Sequence, residues 1–145
     1  MNDPCEALSI KSAPVLPRYR IAVIEARSDS AFVLKRLLEI DGHEVQCATD
    51  GRSGVELVTS MAPDIVLSSI ALLHLDGFAV ASEIRRRLGK RPLVIAVTSY
   101  GKSEIGARLK EAGFDLFLPK PFSREMLTEA IAVLDGVPAS PDLQL

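Results

Sequence analysis

At 145 residues the chain has room for one domain, and 48% hydrophobic against 25% charged residues is the balance of an ordinary globular protein. A core of that size needs neither metal nor cross-links, so two-domain enzymes and small disulfide-stapled scaffolds are excluded. Seventeen Lys and Arg against nineteen Asp and Glu leave a net charge of -2, without the basic excess of a protein built around nucleic-acid binding.

From Arg20 onward, short apolar runs alternate five times with segments of helical period, the pattern of a parallel sheet covered by helices on both faces. The first strand is 21–24 (IAVI), a continuous apolar run of the kind found when both faces are buried. Ser28, Asp29 and Ser30 offer N-caps for a helix striped by Ala31, Leu34, Leu37 and Leu38 and closed at Gly42. The second strand is 44–48 (EVQCA). Asp50-Gly51 then turns the chain into a helix with Gly54, Val55, Val58 and Met61 inward, ended by Pro63. The third strand, 65–67, runs into Ser68 and Ser69. After a loop over 70–76, a helix over about 77–88 turns Val80, Ala81, Ile84 and Leu88 inward. The fourth strand, 93–97, ends at Thr98. Ile105, Leu109 and Ala112 stripe a fourth helix, stopped by Gly113. The fifth strand is 116–118; Ser123 caps a last helix whose buried set is Leu127, Ala130, Ile131 and Leu134. Residues 1–18 and 137–145, rich in proline, are expected to be mobile arms around a domain over 19–136.

In an open parallel sheet, ligands bind beyond the carboxyl ends of the strands. The residues there are Glu25-Ala26, Ser69, Thr98-Ser99 and Lys120-Pro121, so one carboxylate, several hydroxyls and one ammonium converge on one edge.

In order and spacing, V-I-E-A (23–26), D-G (50–51), P-D-I-V-L-S-S-I (63–70), L-D-G (75–77), V-T-S (97–99), E-A-G-F-D (111–115) and L-P-K-P-F (118–122) resemble the receiver domain of bacterial response regulators. The resemblance implies a flavodoxin-like, doubly wound α/β fold: a five-stranded parallel sheet of order 2-1-3-4-5 with five helices. It also implies roles. The family holds Mg²⁺ with an acidic pair after strand one and an aspartate ending strand three. That aspartate takes a phosphoryl group from a histidine kinase. A Ser/Thr after strand four and a Lys after strand five bind the phosphoryl oxygens, and the Ser/Thr couples to an aromatic residue on strand five. The face of helix four, strand five and helix five carries the signal to partners.

Carried over residue by residue, the acidic pair is Glu25-Ala26 and the acceptor position is Ser69, while Thr98, Lys120 and the relay aromatic Phe117 stand where the family has them. The family's usual proline in the loop after strand three is Leu73. Two coincident losses, at positions 26 and 69, are not explained by a single engineered exchange at Ser69. Mg²⁺ usually needs one or two carboxylates beside the phosphate, and Glu25 would be alone, helped at most by the Ala71 carbonyl. A serine hydroxyl needs a base to attack phosphorus, and no His lies among the strand ends. A phosphoserine would also be a monoester, among the slowest species to hydrolyse unaided. The expectation is a degenerate, metal-free phosphorylation pocket of Glu25, Ala26, Ser69, Thr98 and Lys120. In it Glu25 and Lys120 pair through Ser69 or Thr98, without the carboxylate crowding that a metal must offset. Thr98 and Phe117 either end a strand and fill the core or persist as a relay set by a binding partner.

The function expected is a phosphorylation-independent, non-enzymatic interaction module in bacterial two-component or phosphorelay signalling. It would bind protein partners, a second copy included, through the face of helix four, strand five and helix five, and neither nucleic acid nor membrane. The alternative is a phosphoaccepting single-domain response regulator using Ser69 or Asp76. The start at Met1 favours a complete chain, and with only a short stretch after residue 136 the expected output comes from partners, or from a longer parent protein if the chain is a fragment. No apolar stretch nears the roughly 20 residues that span a bilayer, and the N-terminus, with Asp3 and Glu6, is unlike a signal peptide. A cytoplasmic location is expected, with Cys5 and Cys47 as reduced thiols. The basic cluster Arg85-Arg86-Arg87, Lys90 and Arg91 reads as a solvated helix end. His43 and His74 lack companions for a metal site, and Gly51-Arg52-Ser53-Gly54 lacks a nucleotide-binding pattern.

Overall fold

Continuous apolar runs become strands that are covered on both faces. In the computed structural model, which describes residues 18–145, these strands are β1 (Arg20–Ile24), β2 (Glu44–Ala48), β3 (Ile65–Ser68), β4 (Leu93–Thr98) and β5 (Leu116–Pro119). They form one parallel sheet of order β2-β1-β3-β4-β5, the order implied by the resemblance. Between them run α1 (Ser28–Ile40), α2 (Gly51–Met61), α3 (Gly77–Leu88), α4 (Lys102–Ala112) and α5 (Arg124–Ile131). The arm expected at the N-terminus lies, apart from Arg18, outside the described residues.

Period-two alternation splits the core into two layers. Ile21, Val23 and Ile95 face α1 and α5 through Leu34, Leu38, Leu127 and Ile131. Ala22, Val66 and Val94 face α2, α3 and α4 through Val58, Val80, Ile84 and Leu109.

Local chemistry sets most boundaries. Asp50, Asp76 and Ser123 each cap a helix by accepting from the backbone N–H three residues on, at Ser53, Ala79 and Met126. Gly113 stops α4 in a left-handed conformation with φ 113°. The start of α1 differs from expectation. Its N-cap is Arg27, which makes no side-chain cap, and Ser28, Asp29 and Ser30 lie in the first turn, where Asp29 complements the positive helix end.

Three further expectations are corrected. Leu134 is 38% exposed: it falls in the 3-10 turn (Ala132–Asp135) that follows α5, none of whose residues is buried, whereas Leu127 and Ile131 lie in the core. Arg85 is no solvated end. It donates to the carbonyls of Gly89, Pro92 and Gly113 and pairs with Asp115 at 2.6 Å, tying α3 to the loop before β5.

The third correction concerns residues 137–145, which are packed and not a free arm. Leu143 is 1% exposed and shares a core layer with Leu116, Leu118 and Leu127. Its carbonyl accepts from the Phe117 N–H at 2.9 Å, and Gln144 bridges Leu116 in antiparallel sense. Pro138 and Pro141 keep the segment out of helix, while its apolar positions give it a surface to bury.

Candidate functional site

Parallel register brings the carboxyl ends of four strands to one edge. Ile24 lies beside Ser68, Ser68 beside Ala96, and Thr98 beside Pro119. The backbone continues this alignment one residue further: Ser69 N–H donates to the Ile24 carbonyl at 2.9 Å and Lys120 N–H to the Thr98 carbonyl at 2.8 Å. Gly77 lets the chain close over the same edge. A Cβ there would stand 2.3 Å from the Ser69 carbonyl oxygen, so the glycine of L-D-G is a steric requirement.

The five expected pocket residues, Glu25, Ala26, Ser69, Thr98 and Lys120, all line one small cavity of about 220 Å³, with Arg27, Ala71 and Tyr100 at its margin. Glu25, only 6% exposed, is its hub. Its Oε1 accepts from Lys120 Nζ at 2.9 Å and from Ser69 Oγ at 2.7 Å, and its Oε2 accepts from the Arg27 backbone N–H at 3.0 Å. Burial pushes the Glu25 carboxyl up. The Arg27 N–H, the Lys120 ammonium and the Ser69 hydroxyl together outweigh burial and hold it below the ordinary glutamate value. The carboxylate is therefore ionised at neutral pH and balanced by one ammonium.

The Glu25–Lys120 pair is direct and not bridged as expected: Ser69 adds its hydroxyl to the same Glu25 Oε1, and Thr98 is engaged elsewhere. Thr98 Oγ1 accepts from the Tyr100 N–H at 3.0 Å and closes the turn after β4. Phe117 is buried in the layer shared by α3 and α4. Asp76, the alternative acceptor, is occupied as the cap of α3 and does not line the cavity.

Two contributors escaped the sequence reading. The Arg27 N–H is a backbone donor, and no side-chain pattern announces it. Beside the pocket lies an open groove of about 650 Å³ lined by Val33, Leu34, Leu37, Pro121 and Phe122. Its one sequence signal was that Val33 falls off the buried stripe of α1.

Away from the pocket, His43 Nδ1 accepts from the Tyr19 N–H at 3.1 Å, the two rings stack, and burial lowers the imidazole's basicity. Burial raises the Cys47 thiol. Among the described residues no cluster of three His, Cys, Asp or Glu side chains offers a metal site, and no helix is long and apolar enough to cross a membrane.

Known proteins resemble this chain in sequence and fold. The response regulator MprA of Mycolicibacterium vanbaalenii is 33% identical over 115 residues, covering 79% of this chain and 49% of that protein. The chain thus spans about half the length of the curated relatives it matches. The receiver domain of the sensor histidine kinase PA1611 from Pseudomonas aeruginosa, solved with a magnesium ion in its active-site cleft, is 26% identical, with a TM-score of 0.75 over 83% of this chain and 99% of that one. A CheY-like receiver domain protein from Methanospirillum hungatei, at 24% identity, shares the fold with a TM-score of 0.76 over 83% of this chain and 96% of its own. The family model for the response regulator receiver domain matches residues 21–132, and on that match, the sheet order and the strand-end pocket the chain belongs to this family.

Proposed function

We propose that this receiver domain works without phosphorylation, as a non-enzymatic protein-interaction module in bacterial two-component or phosphorelay signalling. The observation that carries the reading is the full engagement of Glu25. Among the described residues it is the sole carboxylate lining the cavity; Oε1 serves Lys120 and Ser69, and Oε2 serves Arg27. Mg²⁺ requires octahedral oxygen ligands and keeps one or two carboxylates beside the phosphate. Here the ion would have to take Glu25 from Lys120 and sit beside that ammonium, with Ala26 and Ser69 supplying no second carboxylate. The donor set does not suit Mg²⁺, unlike that of the Pseudomonas receiver, which holds the ion in its cleft.

A second reading has one observation in its favour. The Ser69 hydroxyl donates to a carboxylate, a contact between a nucleophile and a base. A useful base, however, needs a pKa near the working pH, and Glu25 is held below even the ordinary carboxylate range. Asp76, spent on capping α3, is the weaker acceptor candidate. Incubation with acetyl phosphate and Mg²⁺ followed by intact-mass analysis separates the readings. The expected result is an unchanged mass and no heat of Mg²⁺ or beryllofluoride binding at sub-millimolar concentration; a single phosphoryl increment would overturn the proposal.

Partners, a second copy among them, are proposed to meet the face of α4, β5 and α5, and the cytoplasm is the proposed compartment. In this reading Thr98 and Phe117 act as a relay biased by a partner instead of a phosphate. Amide shifts in Thr98→Ala that reach Phe117 would support the relay, and shifts confined to the turn after β4 would count against it.

A further inference from the structure

The outer edge of β5 is not bare. An exposed edge strand presents unpaired donors and acceptors that invite another strand, and here the chain's own C-terminal segment takes that place. The segment touches all three elements of the face. Phe117 N–H on β5 donates to the Leu143 carbonyl at 2.9 Å. Lys102 Nζ, in the first turn of α4, donates to the carbonyls of Pro141 at 2.7 Å and Gln144 at 2.8 Å. Glu129 on α5 accepts from the Ser140 N–H. Leu143 fills the layer on one side of the edge, and Leu145 packs against the layer on the other. Most polar contacts are to backbone atoms, and one deeply buried leucine supplies the apolar anchor. The segment is itself a turn, closed by the Leu143 N–H donating to the Ser140 carbonyl at 3.0 Å and the Gln144 N–H to the Pro141 carbonyl at 3.3 Å, and it meets β5 through the Phe117 N–H and one antiparallel bridge between Leu116 and Gln144.

We propose that the groove between α4, β5 and α5 is a peptide-docking surface, that residues 139–145 are its intramolecular occupant, and that the partner it fits is a short turn-forming segment that accepts from the Phe117 N–H and places an apolar side chain in the Leu143 seat. The external segment and the tail compete for one site. Gly136, with φ 90°, and the exposed Val137 and Pro138 form the short hinge from which the tail leaves the 3-10 turn. So short a tether holds the tail at an effective concentration on the order of millimolar, and a partner engages the groove only by exceeding that or by lifting the tail first. The tail's grip falls on the backbone of Phe117 itself, the residue at the relay position. The proposal names the partner chemistry of the face assigned above and rests on that reading for its purpose; the groove and its occupant stand whether or not the pocket takes phosphate.

The test uses the full chain carrying Leu143→Asp, ¹⁵N-labelled and titrated with an unlabelled peptide of the sequence of residues 139–145. The expected result is saturable movement of the Phe117 and Leu118 amides in the variant at sub-millimolar peptide, an at least tenfold weaker response in the wild-type chain, and none from a peptide with Asp in place of its first leucine. Hydrogen exchange supplies the second measurement. The Phe117 amide should lose protection at least tenfold in Leu143→Asp and by a smaller factor in Lys102→Ala, which leaves the core intact, while Val23 in the interior strand β1 keeps its protection as the control for folding. Equal Phe117 exchange in all three chains would overturn the proposal. So would equal peptide response in variant and wild type, or dimerisation of Leu143→Asp without peptide binding, which would make a second copy the occupant. None of these readouts depends on phosphate or metal, so they can fail while the phosphorylation-independent reading survives, and the reverse.

Discussion

Glu25 shows what a buried carboxylate requires of its surroundings. A carboxylate this deeply placed is costly unless paired and hydrogen-bonded, and it receives three donors from three separate segments of chain. Removing the cation is therefore expected to hurt more than the exposure of Lys120, whose side chain is 35% accessible, would suggest. Lys120→Ala should destabilise the fold by about 1–3 kcal/mol, the cost of leaving a buried acceptor short of its partner. Urea denaturation of Glu25→Gln, Lys120→Ala and the double variant would check this: the double variant should lose less than the sum of the singles, and strict additivity would sink the idea of a coupled pair. The residues of this pocket were legible from the sequence because each ends a strand. Their pairing was less so. That Glu25 and Lys120 meet directly, with Ser69 and not Thr98 beside them, is settled by distances at the strand ends, and the Arg27 N–H has no residue-type signature.

At the level of the elements, helix termini do two jobs that sequence alone does not separate. Asp76 belongs to a motif that could be read as chemistry, yet its carboxylate accepts from the Ala79 N–H at 2.9 Å and so starts α3. Asp76→Ala is expected to cost about 1 kcal/mol through the lost cap, measured as a lower urea midpoint, with no change in any mass shift produced by acetyl phosphate. The end of α5 makes the complementary point. The periodic stripe of α5 predicts a buried Leu134, but α5 ends at Ile131 and Leu134 lies exposed in the 3-10 turn that follows. Leu134→Ala should alter stability by less than about 0.5 kcal/mol, whereas Leu127→Ala should cost about 2–5 kcal/mol. Comparable losses at both positions in thermal denaturation would contradict the exposure of Leu134. Helix existence and buried stripes were legible because they repeat over several turns. The final turn was not, because its winding is set by how the next stretch of chain packs against the sheet.

For the whole molecule, protonation links the pocket to stability. The folded-state pKa of Glu25 lies below its ordinary value, so its contribution is present above about pH 4.3 and is lost as pH falls through the depressed folded value. His43 is also depressed, by burial, so its contribution is present above about pH 6.5 and fades as pH drops through its folded value. In both cases the unfolded chain binds more protons. The melting temperature is therefore expected to fall as pH is lowered from 7 to 4, with His43→Asn flattening the upper part of the slope and Glu25→Gln the lower part. A melting temperature that stays level or rises toward pH 4 would refute this sign.

The sequence by itself determined the alternation of strands and helices, the parallel sheet with two covered faces, and the set of residues at the strand ends, because each depends on short-range periodicity and on where the apolar runs stop. Only the tertiary structure decided that Glu25 and Lys120 meet directly with Ser69 alongside, that Arg85 ties α3 to the loop before β5, and that residues 137–145 lie against β5. Those outcomes rest on contacts between residues far apart in the chain, such as Glu25 with Lys120 and Lys102 with Gln144. Proline content marks a segment that cannot be helix; whether it stays free depends on a groove with an unpaired donor and a seat for one leucine. That groove exists only once the sheet has formed.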